Sequence, residues 1–110
     1  VTEKSEITES QKQVMLLGLN MKSEAALQDN KLIKPENKNA FVFINQAQKL
    51  VPNDQTAKDN LKRLIKQLGH KADVAIQEGR KEDAAKLIVS GLSISPDNRK
   101  LTLLKDELSN

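Results

Sequence analysis

A chain of 110 residues, 37% hydrophobic and 30% charged, is long enough for one small domain with a modest core but not for two independent cores. The absence of cysteine excludes disulfides, thiolate catalysis and cysteine-ligated metal sites, and it is compatible with a reducing or an oxidising compartment. Aromatic residues make up only 2% of the sequence, so we expect an aliphatic core and few platforms for stacking nucleic-acid bases.

The sequence contains neither an apolar run of about 18 residues, as a membrane helix needs, nor a basic-then-apolar signal segment at its start. Because it begins with Val1 rather than Met, we expect a piece of a longer or processed protein. Residues 1–9 are polar and lack a sustained period, which predicts a flexible tail or linker before one helical domain over residues 10–110.

Apolar residues recur at helical spacing from about residue 10 to residue 29 and predict an amphipathic first helix. Met15 and Met21 are expected to fill the core as flexible apolar side chains. The stripe expected to face the core shares the period of a helix and consists of Val14, Leu17, Met21 and Ala25, with Leu16 and Leu27 at its edges.

A stretch rich in asparagine and charged residues follows the first helix and predicts a loop, in which Leu32 and Ile33 can turn inward. Asn37 or Asn39 is a candidate N-cap for the second helix, which is expected to run to about Val51.

Two prolines end helices in the same way. Pro52 and Pro96 lack an N–H donor and disfavour the α conformation at the preceding residue, and each is followed by an Asn/Asp pair that can cap the next helix. The remaining helices are therefore predicted over three ranges: Asp54 to Glu78, about Lys81 to Leu92, and about Asp97 to Leu108.

The third helix has a clear amphipathic pattern. Gly69 interrupts it at a cost of only about 1 kcal/mol relative to Ala, and Gly79 ends it. The residues expected to face the core are Ala57, Leu61, Leu64, Leu68, Ala72 and Ala75, followed on the fifth helix by Leu101, Leu104 and Leu108.

Two segments repeat the same ladder of small and apolar residues. Such repetition is typical of stacked helix pairs, because one pair alone cannot bury its apolar face. Gly91 carries a propensity cost inside its helix, which close approach of a neighbouring helix would explain. At an offset of 44 residues, Ala40 aligns with Ala84, Phe43 with Leu87, Ile44 with Ile88, Ala47 with Gly91, Leu50 with Ile94 and Pro52 with Pro96.

The ladder resembles that of the tetratricopeptide repeat over roughly residues 35–98, with matching spacing at Gly79, Ala84, Ile88, Gly91 and Pro96. The interval of 44 residues is about ten longer than the usual length of roughly 34, and small aliphatic residues replace the large aromatic on the first helix of the pair. The segment 84–108 is also similar to tetratricopeptide-type segments of bacterial envelope proteins. That similarity implies a periplasmic or envelope location, with the cytoplasm as the alternative.

A basic stripe on the third helix is the candidate functional feature, since Lys58, Lys62, Lys66 and His70 follow at four-residue steps. The simplest interpretation is the solvated face of an amphipathic helix. The tetratricopeptide resemblance implies a role, because the first helix of each pair lines the concave surface that receives a partner's peptide. The candidate partner-binding residues are then Lys62, Lys66, His70, Asp73 and Gln77, whose lysines would engage acidic side chains or a terminal carboxylate.

Motifs for catalysis are missing from the sequence. His70 is the single histidine and has no metal-binding or nucleophile motif around it, and the four glycines form no phosphate-binding loop. Glu82 and Asp83 are expected in the first turn of the fourth helix, where they favour the helix dipole. We therefore expect no enzyme, no cofactor, and no catalytic, cofactor-binding or metal-binding residues.

The sequence thus predicts an all-α module of about five antiparallel helices in a short tetratricopeptide-like helix-turn-helix array. Its expected function is protein–protein interaction or assembly within a larger protein, with a protein or peptide partner of acidic character and no membrane insertion. The alternatives are binding of an anionic polymer, nucleic acid or cell-wall polymer, through the basic helix, and a purely structural spacer. A net charge of only +3 and the scarcity of aromatics disfavour nucleic acid.

Overall fold

Five α-helices make up 76% of residues 7–110, the part of the chain that the computed structural model describes. No strand occurs within these residues, and the predicted all-α class with about five antiparallel helices is confirmed. Each helix boundary lies within about two residues of its prediction, which is the usual uncertainty of helix ends. The helices are α1 (Glu9–Gln28), α2 (Ala40–Leu50), α3 (Gln55–Gln77), α4 (Lys81–Ile94) and α5 (Arg99–Ser109).

The described chain divides into two compact units whose boundary falls within α3, after Leu61. Unit 1 comprises residues 7–61 and unit 2 comprises residues 62–110. The single tetratricopeptide-like domain over residues 10–110 stays a prediction, as does the repeat itself, because five helices joined by short turns do not establish that family. Residues 1–6 of the predicted tail lie outside the described residues.

Side chains cap the first two helices of unit 1. Thr8 and Gln11 form a capping box at α1: the Thr8 Oγ1 accepts from the Gln11 N–H at 3.1 Å, and the Gln11 Oε1 accepts from the Thr8 N–H at 2.9 Å. Asn39 caps α2 by accepting from the Val42 N–H at 2.9 Å, which confirms one of the two predicted alternatives. Its amide group also donates to two carbonyls of the preceding loop, which ties that loop to the helix start.

A polar contact in unit 1 joins α1 to the start of α3. The Asp54 Oδ2 accepts from the Ala57 N–H at 3.0 Å, so Asp54 caps α3 as its sequence position suggests. The same oxygen accepts from the Asn20 Nδ2 at 3.0 Å, and Asn20 is only 7% exposed. Ser23 is also buried and donates its hydroxyl to the Leu19 carbonyl at 2.8 Å. The inner face of α1 therefore carries two polar side chains whose donors are satisfied inside the protein, while the Asn20 Oδ1 is buried and accepts no hydrogen bond from the described residues.

The predicted core face of α1 is wrong. Val14 is 70% exposed, Leu17 and Met21 are each 61% exposed, and Met15, predicted as core filler, is 47% exposed. Apolar and polar residues are spread around the helix with almost no preferred side, so the helical period alone does not select which stripe faces the core. Of the predicted set, Leu16 and Leu27 are buried and Ala25 is exposed. The stripe that is buried consists of Leu16, Asn20, Ser23, Ala26 and Leu27.

The core of unit 1 forms where α1 packs against α2. Leu16, Ala47 and Ala57 are buried together, with Leu19 and Leu50 packed against them. The two helices run antiparallel, because the partners on α2 move back along the chain as α1 advances: Leu16 shares a cluster with Ala47, whereas the Lys22 Nζ lies 5.8 Å from the centre of the Phe43 ring.

Both α1 and α3 end in a Schellman motif. At the end of α3, Gly79 adopts φ 77°, its N–H donates to Ile76, and the Arg80 N–H donates to the Ala75 carbonyl. Asn30 occupies the same position after α1 with φ 61°. The predicted stop at Gly79 is confirmed.

Unit 2 is held by α4 packing antiparallel on α5. The buried residues of α4 are Ala84, Ile88 and Gly91, and all three are positions of the predicted ladder. Asn98 caps α5 by accepting from the Leu101 N–H at 2.9 Å. The predicted close approach at Gly91 is present: a Cβ there would lie 2.5 Å from the Leu101 Cδ1, and Leu101 is fully buried.

This geometry predicts opposite effects for two equivalent substitutions. Gly91→Ala should lower the free energy of unfolding by roughly 1 kcal/mol, because an overpacking cost of about 1–3 kcal/mol exceeds the helix-propensity gain of about 1 kcal/mol. Gly69→Ala is the matched control, since its Cβ would only meet the Lys100 side chain at an ordinary 3.6 Å. It should raise stability by up to about 1 kcal/mol. Urea denaturation followed by circular dichroism measures both, and equal shifts of the same sign would contradict the close approach at Gly91.

Candidate protein-binding surfaces

The five residues predicted to bind a partner all lie on the part of α3 that belongs to unit 2. Their spacing of four, four, three and four residues places them along one face of the helix. Lys62, Lys66, His70 and Gln77 are exposed, and Asp73 is half-buried. Their predicted role in binding a partner stays a prediction.

Asp73 is already engaged within unit 2. Its Oδ1 accepts from the Gln77 Nε2 at 3.3 Å, and its Oδ2 lies 3.8 Å from the Nζ of Lys100 on α5. The stem of Lys100 crosses the surface of α3 at Gly69, with its Cδ 3.6 Å from the position that a Cβ would occupy. Sequence reasoning missed Lys100, because nothing local in the sequence indicates that α5 brings a lysine beside the α3 face.

Three side chains of this face remain without an internal partner. Within residues 7–110, Lys62, Lys66 and His70 make neither a hydrogen bond nor an ion pair. Arg80 shows the opposite arrangement, since Glu78 and Asp83 both bind its guanidinium, and these hydrogen bonds raise the pKa of Arg80 above its ordinary value. The unpaired lysines are therefore available to an external anion, whereas Arg80 is occupied.

The outer face of α1 is an exposed apolar surface. Val14, Leu17 and Met21 occupy successive turns of one face, and we call these three residues the α1 stripe. Large exposed apolar side chains are ordinary when scattered, but a contiguous row of them on one helix is typical of a surface that another molecule covers.

A groove of about 620 Å³ lies between α1 and α2, next to the α1 stripe. We call it the α1–α2 groove. Its lining is mostly apolar and contains two lysines, one from each helix, but no carboxylate. The residues that line it are Met15, Gly18, Leu19, Lys22, Gln46, Lys49 and Leu50.

A second apolar groove of about 500 Å³ lies in unit 2 between α4 and α5. Val89 stands at its edge and is two-thirds exposed. The sequence predicted neither groove, because each depends on how two helices pack. The residues that line this groove are Ala85, Ile88, Val89, Leu92, Ser93, Lys105, Leu108 and Ser109.

The described residues offer no arrangement for metal binding, since residues 7–110 contain no group of three or more His, Asp or Glu side chains close enough to share an ion. Among the described helices, none combines the length and apolarity that crossing a membrane requires. No protein-family model matches the chain, and comparison with curated proteins and with solved structures also gives no match. The expected absence of enzymatic activity and the resemblance to bacterial envelope segments both stay predictions.

Gly18, in the middle of α1, generates a stability prediction. A Cβ at this position would meet nothing within 4 Å, so alanine fits without displacing any atom. Gly18→Ala should therefore raise the free energy of unfolding by about 1 kcal/mol through helix propensity alone. Gly79→Ala is the control and should lower the free energy of unfolding, because alanine is strained at the positive φ that Gly79 adopts. A loss of stability in Gly18→Ala, measured by urea denaturation, would show that the space above Gly18 is filled by the chain itself.

Proposed function

We propose that this chain is a protein-interaction module that belongs to a larger protein and binds its partner through the α1 stripe. The observation that carries the proposal is the exposure of Val14, Leu17 and Met21 on one face of a helix that buries Asn20 and Ser23 on its inner side. A partner that covers this stripe removes these three side chains from water, which folding of the chain alone does not do.

The size of that gain limits the affinity. Fully burying one such side chain is worth about 1.5–3 kcal/mol, so covering three that are already one-third buried gives roughly 3–6 kcal/mol. Association costs about 4 kcal/mol or more in lost translational and rotational freedom. The stripe alone therefore supports weak binding, and a useful affinity needs added polar contacts or several modules acting together.

The cationic face of α3 is the second candidate surface. Within residues 7–110 the side chains of Lys62 and Lys66 have neither a hydrogen bond nor an ion pair, so they can engage an acidic protein or, as the alternative function, an anionic polymer. A protein partner is favoured, because the net charge is only +3 and both aromatic side chains, Phe41 and Phe43, are half-buried and cannot serve as open stacking platforms.

The role of the α1 stripe can be tested by quantitative affinity capture with immobilised protein. Leu17→Ser combined with Met21→Ser should reduce recovery of specific partners at least about tenfold, because each change removes about 1 kcal/mol or more of apolar burial. The matched control is Val89→Ser combined with Leu103→Ser, which removes two equally exposed apolar side chains from unit 2. Circular dichroism should show unchanged helix content in both. Equal losses in the two double variants, or no loss in either, would contradict the proposal.

Binding assays on the α3 face distinguish a protein partner from an anionic polymer. If the face binds a polyanion, affinity for an oligothymidylate should fall steeply with salt, by a log–log slope of roughly −0.7 for each phosphate contacted on a single strand. We expect only weak oligothymidylate binding, and Lys62→Glu with Lys66→Glu should instead slow association with the captured protein. Lys81→Glu with Lys86→Glu is the control of equal charge change on α4. Tight binding of oligonucleotides of any sequence, weakened by both double lysine variants, would favour the anionic polymer.

A further inference from the structure

Gly18 is the one glycine of the described chain that has neither a positive φ nor any atom within 4 Å of a Cβ placed on it. Gly79 has a positive φ, Gly91 lies against Leu101, and Gly69 lies under the stem of Lys100. The space above Gly18, in contrast, is open. Glycine in the interior of a helix nevertheless destabilises that helix relative to alanine. Close approach of another backbone is one use of a glycine at such a position.

Gly18 is one of the residues that line the α1–α2 groove. Met15 and Leu19 are its neighbours on α1, at helical spacings that place all three on the groove side, and Leu50 contributes from α2. An incoming helix that lays an apolar stripe into this groove would therefore contact Gly18 with little separation between the two backbones.

Two lysines set the charge of the groove. Lys22 rises from α1, where its Nζ lies 5.8 Å from the centre of the Phe43 ring, and Lys49 rises from α2 on the opposite side. Lys49 is six residues beyond Phe43, which corresponds to roughly 9 Å of helix rise. Neither ammonium group has an ion pair within residues 7–110. A complementary ligand needs a carboxylate at each edge of its apolar stripe, about two helical turns apart.

We propose that the α1–α2 groove receives an amphipathic helix of a partner protein, with its apolar stripe over Gly18 and carboxylates facing Lys22 and Lys49. The proposal rests on the proposed function, since it gives the chemistry of the partner for a surface beside the α1 stripe. The occupant is a separate protein segment and not a second copy of this chain or a lipid surface.

The test uses three capped, fluorescently labelled helical peptides of equal length. The first carries a leucine stripe flanked on both edges by glutamates, the second replaces every glutamate by lysine, and the third replaces the leucines by serines. Fluorescence anisotropy with the full chain should give an affinity for the first peptide at least about tenfold higher than for the other two. Nuclear magnetic resonance should show amide shifts confined to residues 15–22 and 46–50.

Two variants probe the same site by different physics. Gly18→Leu extends a side chain into the groove from a Cβ position that has no atom within 4 Å, so the affinity for the glutamate peptide should fall at least about tenfold. The melting temperature should not fall, because leucine favours the helix over glycine. Lys22→Glu with Lys49→Glu should reverse the preference, so that the lysine peptide binds more tightly than the glutamate peptide. Lys34→Glu with Lys38→Glu, in the exposed loop between α1 and α2, is the control of equal charge change and should keep the original preference.

Each contrary result overturns the proposal. Equal binding of the glutamate and lysine peptides, an unaltered preference in the Lys22 and Lys49 variant, or amide shifts on α3 would remove the groove as the site. Concentration-dependent shifts in the groove without peptide would identify a second copy as the occupant. Binding of anionic lipid vesicles that the Lys22 and Lys49 variant loses, without peptide binding, would identify a lipid surface. If partner capture still depends on Leu17 and Met21 in these cases, the proposed function stands and only the groove assignment fails.

Discussion

The contact between Asn20 and Asp54 decides how unit 1 is built. One carboxylate oxygen both caps α3 and accepts a hydrogen bond from a buried amide of α1, so the rotation of α1 about its axis is coupled to the start of α3. Removing Asp54 would leave the buried Asn20 amide N–H without its acceptor, which costs about 1–3 kcal/mol. Once Asn20 points inward, Leu16 and Leu27 follow it into the core, and the opposite side of the helix is necessarily left in solvent.

Helix boundaries were predictable because their causes are local. Pro52 and Pro96 stop the preceding helices, Asn39, Asp54 and Asn98 accept the N–H groups that the next helices leave open, and Gly79 supplies a positive φ. Each of these signals acts over a few residues, so the sequence shows it directly. The close approach at Gly91 was also accessible, because a glycine that destabilises its own helix commonly marks a point where a neighbouring helix comes near.

The orientation of α1 could not be predicted in the same way. Asn20 and Asp54 are 34 residues apart, and nothing in either neighbourhood announces that they meet. The periodicity rule assigns polar residues to the surface, so it selected the stripe of Val14, Leu17 and Met21 and was wrong. The position of Lys100 could not be predicted for the same reason, because it lies on α5 and meets Asp73 on α3. The candidate surfaces are thus the least predictable part, since packing and not local sequence creates them.

The exposure of Met21 and Met15 makes the outer side of α1 chemically vulnerable. A thioether in solvent is open to oxidants, and conversion to the sulfoxide replaces an apolar side chain by a polar, chiral one. Oxidation of Met21 would lower the apolar character of the α1 stripe without touching the core, so an oxidised chain would remain folded while losing attraction for the partner that we propose. A bound partner would in turn shield both sulfur atoms, and the rate of their oxidation would then report directly on how much of the protein is in complex.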